Sequence, residues 1–307
     1  MISRRKLLSL TQSVVSFPST SYHEHDLRGF LAQHAESLDL PAAYDAWGNL
    51  HVRYSRGRRK VRWTFLAHMD HPGFVVAETR GRFAWCRWYG GVFTHYFKDA
   101  RVEVHSQGGS VPGRVTAVRV GGPRKRVQWI RIETKSAVSP GDLGTWRLPA
   151  YERTGDRIRT RAADDLVGCA ALAALLESLV TSQAPAEVEV IYTRAEEAGL
   201  VGATALARSG IVDKNQPIIA IETSKALPCA RIGEGPVLRT GDRMSVYDPG
   251  LSRFLQTCAE RLARERRGFR YQRCLMDGGL CEASAFLAHG YAATGLALPL
   301  GNYHNMG

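Results

Sequence analysis

Apolar residues recur at helical spacing over residues 5–16 and 24–38, and Phe17-Pro18-Ser19-Thr20-Ser21 separates the two stretches. Ser21 and Glu24 have the spacing of a capping box, which predicts where the second helix starts. Residues 62–67 form a short, largely apolar run suited to a buried strand, and the run delivers His68 and Asp70 at its end. From 73 to 160 the texture changes. Short β-rich runs at 73–79, 101–105, 114–120 and 127–133 alternate with Gly, Pro and charged turns, and no helical period appears. A small all-β unit is therefore expected at 73–160, inserted into a host formed by 1–72 and 161–307.

After the insert, helices and strands alternate. Residues 168–180, 197–209, 249–266 and 282–289 read as helices, and 187–193, 217–221 and 292–297 as strands. Such alternation predicts an α/β fold, with a mostly parallel central sheet covered by helices on both faces. No internal repeat or low-complexity linker interrupts it.

At 307 residues the chain is long enough to bury a sizeable core. No run approaches the roughly 18–20 apolar residues that cross a bilayer, so a soluble protein with no membrane partner is expected. The formal charge of +12 admits a polyanionic partner, but Lys and Arg are spread along the chain, with short runs only at 56–60 and 261–267. No nucleic-acid module accompanies them, so they read as a solvated basic face and no specific nucleic acid is expected. Cys86, Cys169, Cys229, Cys258, Cys274 and Cys281 include no Cys-x-x-Cys pair. That points to free thiols in a reducing compartment, and so to a cytoplasmic protein. Ser3-Arg4-Arg5-Lys6-Leu7-Leu8 faintly resembles a twin-arginine signal, yet Thr11, Gln12 and Ser13 are too polar for its apolar core. An ordinary first helix is expected.

Candidate chemistry collects where predicted strands end, which is where open α/β sheets place their sites. In His68-Met69-Asp70, the carboxylate can hold one ring nitrogen and present the other to a metal. Asp164-Asp165 precedes an apolar helix; one carboxylate there can bridge two cations, although Asp also caps helices well. Glu196-Glu197 is the most telling pair, because adjacent carboxylates are costly to bury without a cation or a shared proton. One can ligate while the other serves as general base. Glu222 ends an apolar strand, a poor place for an unpaired charge, and His304 closes the series. In that order His68, Asp164, Glu197, Glu222 and His304 supply a bridge and two terminal ligands per ion, the donor count for two divalent ions. The remaining histidines show no such constellation, with His71, beside the site, the main exception.

With their surroundings, these residues resemble the tetrahedral and glutamyl aminopeptidases of the di-zinc exopeptidase superfamily. The stretches that match are His68-Met69-Asp70-His71-Pro72-Gly73-Phe74, Ala163-Asp164-Asp165-Leu166-Val167-Gly168-Cys169 and Glu196-Glu197-Ala198-Gly199-Leu200-Val201-Gly202-Ala203, then Gly233-Glu234-Gly235-Pro236 and 298–304. The resemblance implies that the β-rich insert is a β-barrel. It also implies a metal-dependent aminopeptidase acting on small peptides, with two divalent ions, zinc foremost and cobalt or manganese as alternatives. His68 and Glu222 would hold one ion and Glu197 and His304 the other, with Asp164 between them. Glu196 would be the base and Asp70 the partner of His68. A homo-oligomer is implied too, and Trp85, Trp88, Tyr89 and Phe93 are the aromatic residues expected on the insert's surface.

Several positions depart from the family pattern. His71-Pro72 stands where Glu is usual, Leu166 where Arg is common, Glu222 where Asp is usual, and Gly278-Gly279-Leu280-Cys281-Glu282 where Gly-Gly-Thr-Asp is usual. The chain stops three residues after His304, which leaves either a truncated end or a weakly anchored tail. Two other classes use similar parts: a deacylase of N-acyl amino acids or small peptides on the related carboxypeptidase-like scaffold, and a non-catalytic metal-binding or basic nucleic-acid-binding protein. The first usually carries its lid after the Glu-Glu motif, whereas the insert here precedes Asp164. The second has no need of a base at Glu196.

Overall fold

The computed structural model describes residues 2–58, 61–106, 108–123 and 125–306. The chain opens with helices α1 (Arg4–Ser16) and α2 (His25–Glu36), followed by β1 (Ala42–Tyr44), β2 (Leu50–Ser55) and β3 (Trp63–His68). Six strands come next: β4 (Gly73–Arg80), β5 (Phe83–Tyr89), β6 (Arg101–Ser106), β7 (Gly109–Gly121), β8 (Arg126–Thr134) and β9 (Leu143–Trp146). A hairpin of β10 (Glu152–Thr154) and β11 (Arg157–Arg159) leads into α3 (Ala163–Ser182), β12 (Glu187–Thr193) and α4 (Val201–Ser209). The chain then runs through β13 (Ile218–Lys225), β14 (Val237–Asp242), α5 (Pro249–Glu265), β15 (Gln272–Met276), α6 (Glu282–Leu287) and β16 (Ala293–Leu300).

Eight strands form the main sheet in the order β1-β2-β12-β3-β13-β16-β14-β15. The pairs β12–β3, β3–β13, β13–β16 and β14–β15 are parallel. Successive side chains of a strand face opposite ways, and the core divides accordingly. Ala67, Val190 and Tyr192 pack with α1, α2 and α3 on one face, while Leu66, Ile191 and Ile218 pack with α4 and α6 on the other. The expected doubly covered α/β sheet is what the chain forms.

β4 to β9 close into a barrel in the order β4-β5-β8-β7-β6-β9. Alternation drives it: Ala84, Cys86 and Trp88 of β5 point inward, joining Phe74, Ile130 and Trp146 in a second core. Trp88, expected at the surface, is therefore buried, whereas Phe93 is exposed.

Four further expectations are corrected. α3 is long and apolar enough, by length and composition, to span a bilayer. Its apolar residues are instead core residues packed against α1, β3 and β13. Ser21 does not cap α2, because its hydroxyl donates to Asp70 Oδ2 (2.6 Å), and Glu24 accepts from the main-chain N–H of Tyr22 instead (2.8 Å). Helix α4 starts at Val201 rather than at 197, since Gly199 (φ 119°) and Leu200 (φ 59°) hold a left-handed turn before it. Finally, Cys229 and Cys274 form a disulfide, with Cα atoms 5.6 Å apart, so the thiols are not all free. The fold brings the two together from 45 residues apart, a proximity that local spacing does not reveal. In the two basic runs, Arg261, Arg264, Arg266 and Arg267 are exposed, and Arg59 and Lys60 lie outside the described residues.

Candidate metal centre and active site

His68 is the last residue of β3, and its ring is fixed from behind. Nδ1 donates to the main-chain oxygen of Asp70 (2.8 Å) and lies 3.5 Å from the Asp70 carboxylate, so the backbone is the nearer partner. Nε2 is thereby left to face Asp164 Oδ1 (3.4 Å) and Glu222 Oε1 (3.7 Å). The other oxygen of Asp164 lies 3.5 Å from His304 Nε2, which is 2.9 Å from Glu197 Oε1. The donor atoms of His68, Asp164 and Glu222 lie within 4.8 Å of one another, and so do those of Asp164, Glu197 and His304. Asp164 thus turns one oxygen to each group.

Among the described residues, Asp164 Oδ1, Glu197 Oε1 and His304 Nε2 are buried without a hydrogen-bond partner. Glu197 and His304 approach without hydrogen-bond geometry, as two lone pairs aimed at a common point do. Orphaned buried polar atoms are costly, and a cation between them removes the cost. Both donor sets, with imidazole and carboxylate, suit a divalent ion of the zinc type.

The acids are in excess. Burial pushes Glu222 up to about 8, with Asp164 adding to the rise and His68 opposing it. Burial also raises Asp165 and Glu196 well above the carboxylate range. Asp164 moves the other way: burial would raise it, but His304 and His68 hold it low. Glu196 belongs to neither donor group, and its Oε2 is 3.9 Å from His68 Nε2. Asp70 also accepts from the main-chain N–H groups of Glu196 (2.9 Å) and Glu197 (3.1 Å).

His304 is firmly held, contrary to a weakly anchored tail. Its Nδ1 donates to Gly91 O of the barrel unit (2.8 Å), Asn305 Nδ2 donates to Arg161 O (2.9 Å), and Met306 packs on the barrel core. These contacts sustain left-handed backbone at Asn302 (φ 51°), His304 (φ 53°) and Asn305 (φ 62°). Behind the site lie Asp165, Glu282 and Cys169, whose thiol donates to His68 O (3.2 Å). His71 is buried, is pushed down to about 3 by burial and then by Arg161, and belongs to neither donor group.

A cavity of about 80 Å³ opens beside the donor groups, bordered by His68, Glu196, Lys225, Arg239, Met276 and Leu280. Arg239 is buried, with Nη1 3.3 Å from Ser224 Oγ and 4.0 Å from Glu222 Oε2, and its Nε has no hydrogen-bond partner among the described residues. Neither Arg239 nor Ser21 stands out in the sequence as a site residue. The one available signal is an arginine directly after Pro236-Val237-Leu238, akin to Glu222 at the end of its apolar run.

The model of the M42 glutamyl aminopeptidase family matches residues 48–306, which takes in every donor named above. This chain belongs to that family. It is a metal-dependent aminopeptidase, a peptide-bond hydrolase that uses divalent metal. The glutamyl aminopeptidase of Lactococcus lactis subsp. cremoris is 24% identical over 314 residues, covering 93% of this chain and 85% of the relative. The solved structure PhTET1-12s, a dodecamer in its asymmetric unit, is 26% identical, covers 99% of this chain and 92% of its own, and superposes with a TM-score of 0.79. The TET1 peptidase of Pyrococcus horikoshii, which can assemble into a tetrahedron or a large octahedral shell, shares the fold at 24% identity. There the TM-score is 0.79 over 95% of this chain and 91% of that one.

Proposed function

We propose that this M42 aminopeptidase works with two divalent ions, zinc in the first instance, and removes N-terminal residues from small peptides. The observation that carries this reading is that Asp164 serves both donor groups while Glu196 serves neither. In this reading His68, Asp164 and Glu222 hold one ion, and Asp164, Glu197 and His304 the other. Bound cations supply Lewis acidity, which eases proton loss from water and draws charge off the scissile carbonyl. Glu196 takes the proton from the attacking water and returns it to the departing amine, a task open to a carboxylate that lies beside His68 but belongs to neither donor group. Asp70 keeps His68 in one tautomer and fixes where the two glutamates begin.

The cavity receives the side chain of the residue being released. Arg239 and Lys225 give it positive charge, which favours an acidic first residue, and the name of the Lactococcus relative agrees. Residues 1–72 and 161–307 act as the catalytic unit, with 73–160 as its insert. We propose that the working enzyme is a homo-oligomer, by analogy with the assemblies named for the TET structures.

The test is metal analysis of the loaded enzyme together with hydrolysis of a panel of aminoacyl anilides and their N-acetylated forms. Two ions per chain, faster cleavage of Glu and Asp substrates, and silence on acetylated ones are expected. A single ion on folded protein, or equal rates with and without the acetyl group, overturns the proposal.

A further inference from the structure

The cavity's two walls come from distant parts of the fold. Ser224, Lys225 and Leu227 form one; Met276, Gly279 and Leu280 form the other. The first wall continues from β13 and the second from β15, and β16 and β14 lie between those strands in the sheet. Residues 226–231 must therefore bridge the ends of two strands to reach β15. At its start this loop is anchored by Ala226 N–H, which donates to Leu300 O (2.9 Å). At its far end Arg231 N–H donates to Gln272 Oε1 (2.6 Å), and Gln272 Nε2 donates back to Arg231 O (2.9 Å). Between these anchors Leu227 and Ala230 bond to each other, and the covalent link to β15 is Cys229–Cys274. Cys274 sits two residues before Met276, in a small apolar cluster with Ala230 and Val237 against which Leu227 packs.

We infer that this disulfide is a specificity-determining tie: it holds Leu227 toward Met276 and so sets the width of the pocket for the released side chain. The inference rests on the aminopeptidase reading, which makes this cavity the side-chain pocket. A loop fixed only at its ends samples more conformations, and a cross-link at its middle removes them. Loss of the tie therefore weakens binding of long side chains. It leaves the donor groups and Glu196 in place, because the other donors stand on other elements and Glu222 lies within β13, which is paired to β16 along its length.

The tie is also reversible. Cys229 is exposed and borders a second groove of about 510 Å³, while Cys274 is buried. One thiolate of an external dithiol attacks Sγ of Cys229 and releases the Cys274 thiolate, which takes up a proton. The second thiolate of the dithiol then resolves the mixed disulfide, so two electrons pass to the protein and the reagent leaves as its own disulfide.

Dithiols also bind zinc-type ions, so the decisive comparison uses Cys229→Ser and the double variant Cys229→Ser with Cys274→Ser, each matched to wild type in metal content. Anilides of Ala, Leu and Glu are the substrates, and deuterium uptake over 226–231 is followed without substrate. KM for Leu and Glu should rise about tenfold, the scale of a lost methylene contact in a pocket, with kcat and the Ala substrate little changed. Uptake over 226–231 should quicken, and the unreduced wild type should yield Cys229 and Cys274 as one linked peptide. Unchanged KM ratios with unchanged uptake, or free thiols at both positions in unreduced protein, overturn the tie. A metal-loaded wild type silent on every substrate instead overturns the peptidase reading, and the uptake measurement still decides whether the disulfide holds the loop.

Discussion

The carboxylate of Asp70 accepts from Ser21 and from the main-chain N–H groups of Glu196 and Glu197, so one side chain fixes the starting point of two others. The sequence showed Asp70 only as a neighbour of His68, because hydrogen bonds between residues more than a hundred positions apart leave no local trace. The candidate donors were legible for a different reason. Glu222 is a charge at the end of an apolar strand and Glu196-Glu197 are adjacent carboxylates, and charges so placed must be paired. Arg239 also follows apolar residues but does not stand out, because its partners Glu222 and Ser224 lie on another strand. The division of labour between the two glutamates is directly testable. Glu196→Gln keeps the shape and removes the base, so kcat should fall by about 10²–10⁴ with metal content unchanged. Glu197→Gln should lose metal first, and activity with it. Steady-state kinetics and metal analysis of both variants under one condition separate the roles; near-full activity of metal-loaded Glu196→Gln would remove the base from the mechanism.

Elements with a clean period were legible, and those whose polar residues are paired across strands were not. α1, α2, α5 and the strands that deliver His68 and Glu196 follow their apolar pattern closely. β2 is not legible because His51 and Arg53 interrupt it; both are paired with Glu189 of the neighbouring β12. His51 Nδ1 is 3.1 Å from Glu189 Oε1, and Nε2 is 3.5 Å from Asp45 Oδ2. Burial alone would lower this imidazole, but Asp45 and Glu189 raise it from 6.5 to about 9. The folded-state value is the raised one. The stabilisation is therefore complete below the unfolded value near 6.5 and is lost as pH rises through about 9. At about 1.4 kcal/mol per unit, the pairing is worth on the order of 3 kcal/mol at low pH. Thermal unfolding of wild type and His51→Gln between pH 6 and pH 10 should show a gap that closes toward the alkaline end. A constant gap would mean that packing, not charge, holds β2 to β12.

At the scale of the whole molecule, the barrel does more than decorate the sheet, since it orients the last candidate ligand. Texture alone marked an inserted β-rich unit, but nothing in the sequence tied it to His304, more than two hundred residues from Gly91. The tail reaches the barrel by three contacts. His304 Nδ1 donates to Gly91 O, Phe93 N–H lies 3.4 Å from Met306 Sδ, and the Met306 side chain packs on the barrel core. Left-handed backbone at Asn302, His304 and Asn305 disfavours this path unless such contacts hold it, so the position of Nε2 depends on the barrel surface. Met306→Asp places an unpaired charge against that apolar surface and should release the tail. His68 and Glu222 are untouched by the change, as β3 and β13 are anchored in the sheet. The variant should therefore stay folded and keep the ion held by His68, Asp164 and Glu222 while losing the one that needs His304. Metal analysis should fall from two ions per chain toward one, with the unfolding transition of the sheet preserved. Retention of both ions by Met306→Asp would show that the tail holds His304 without the barrel.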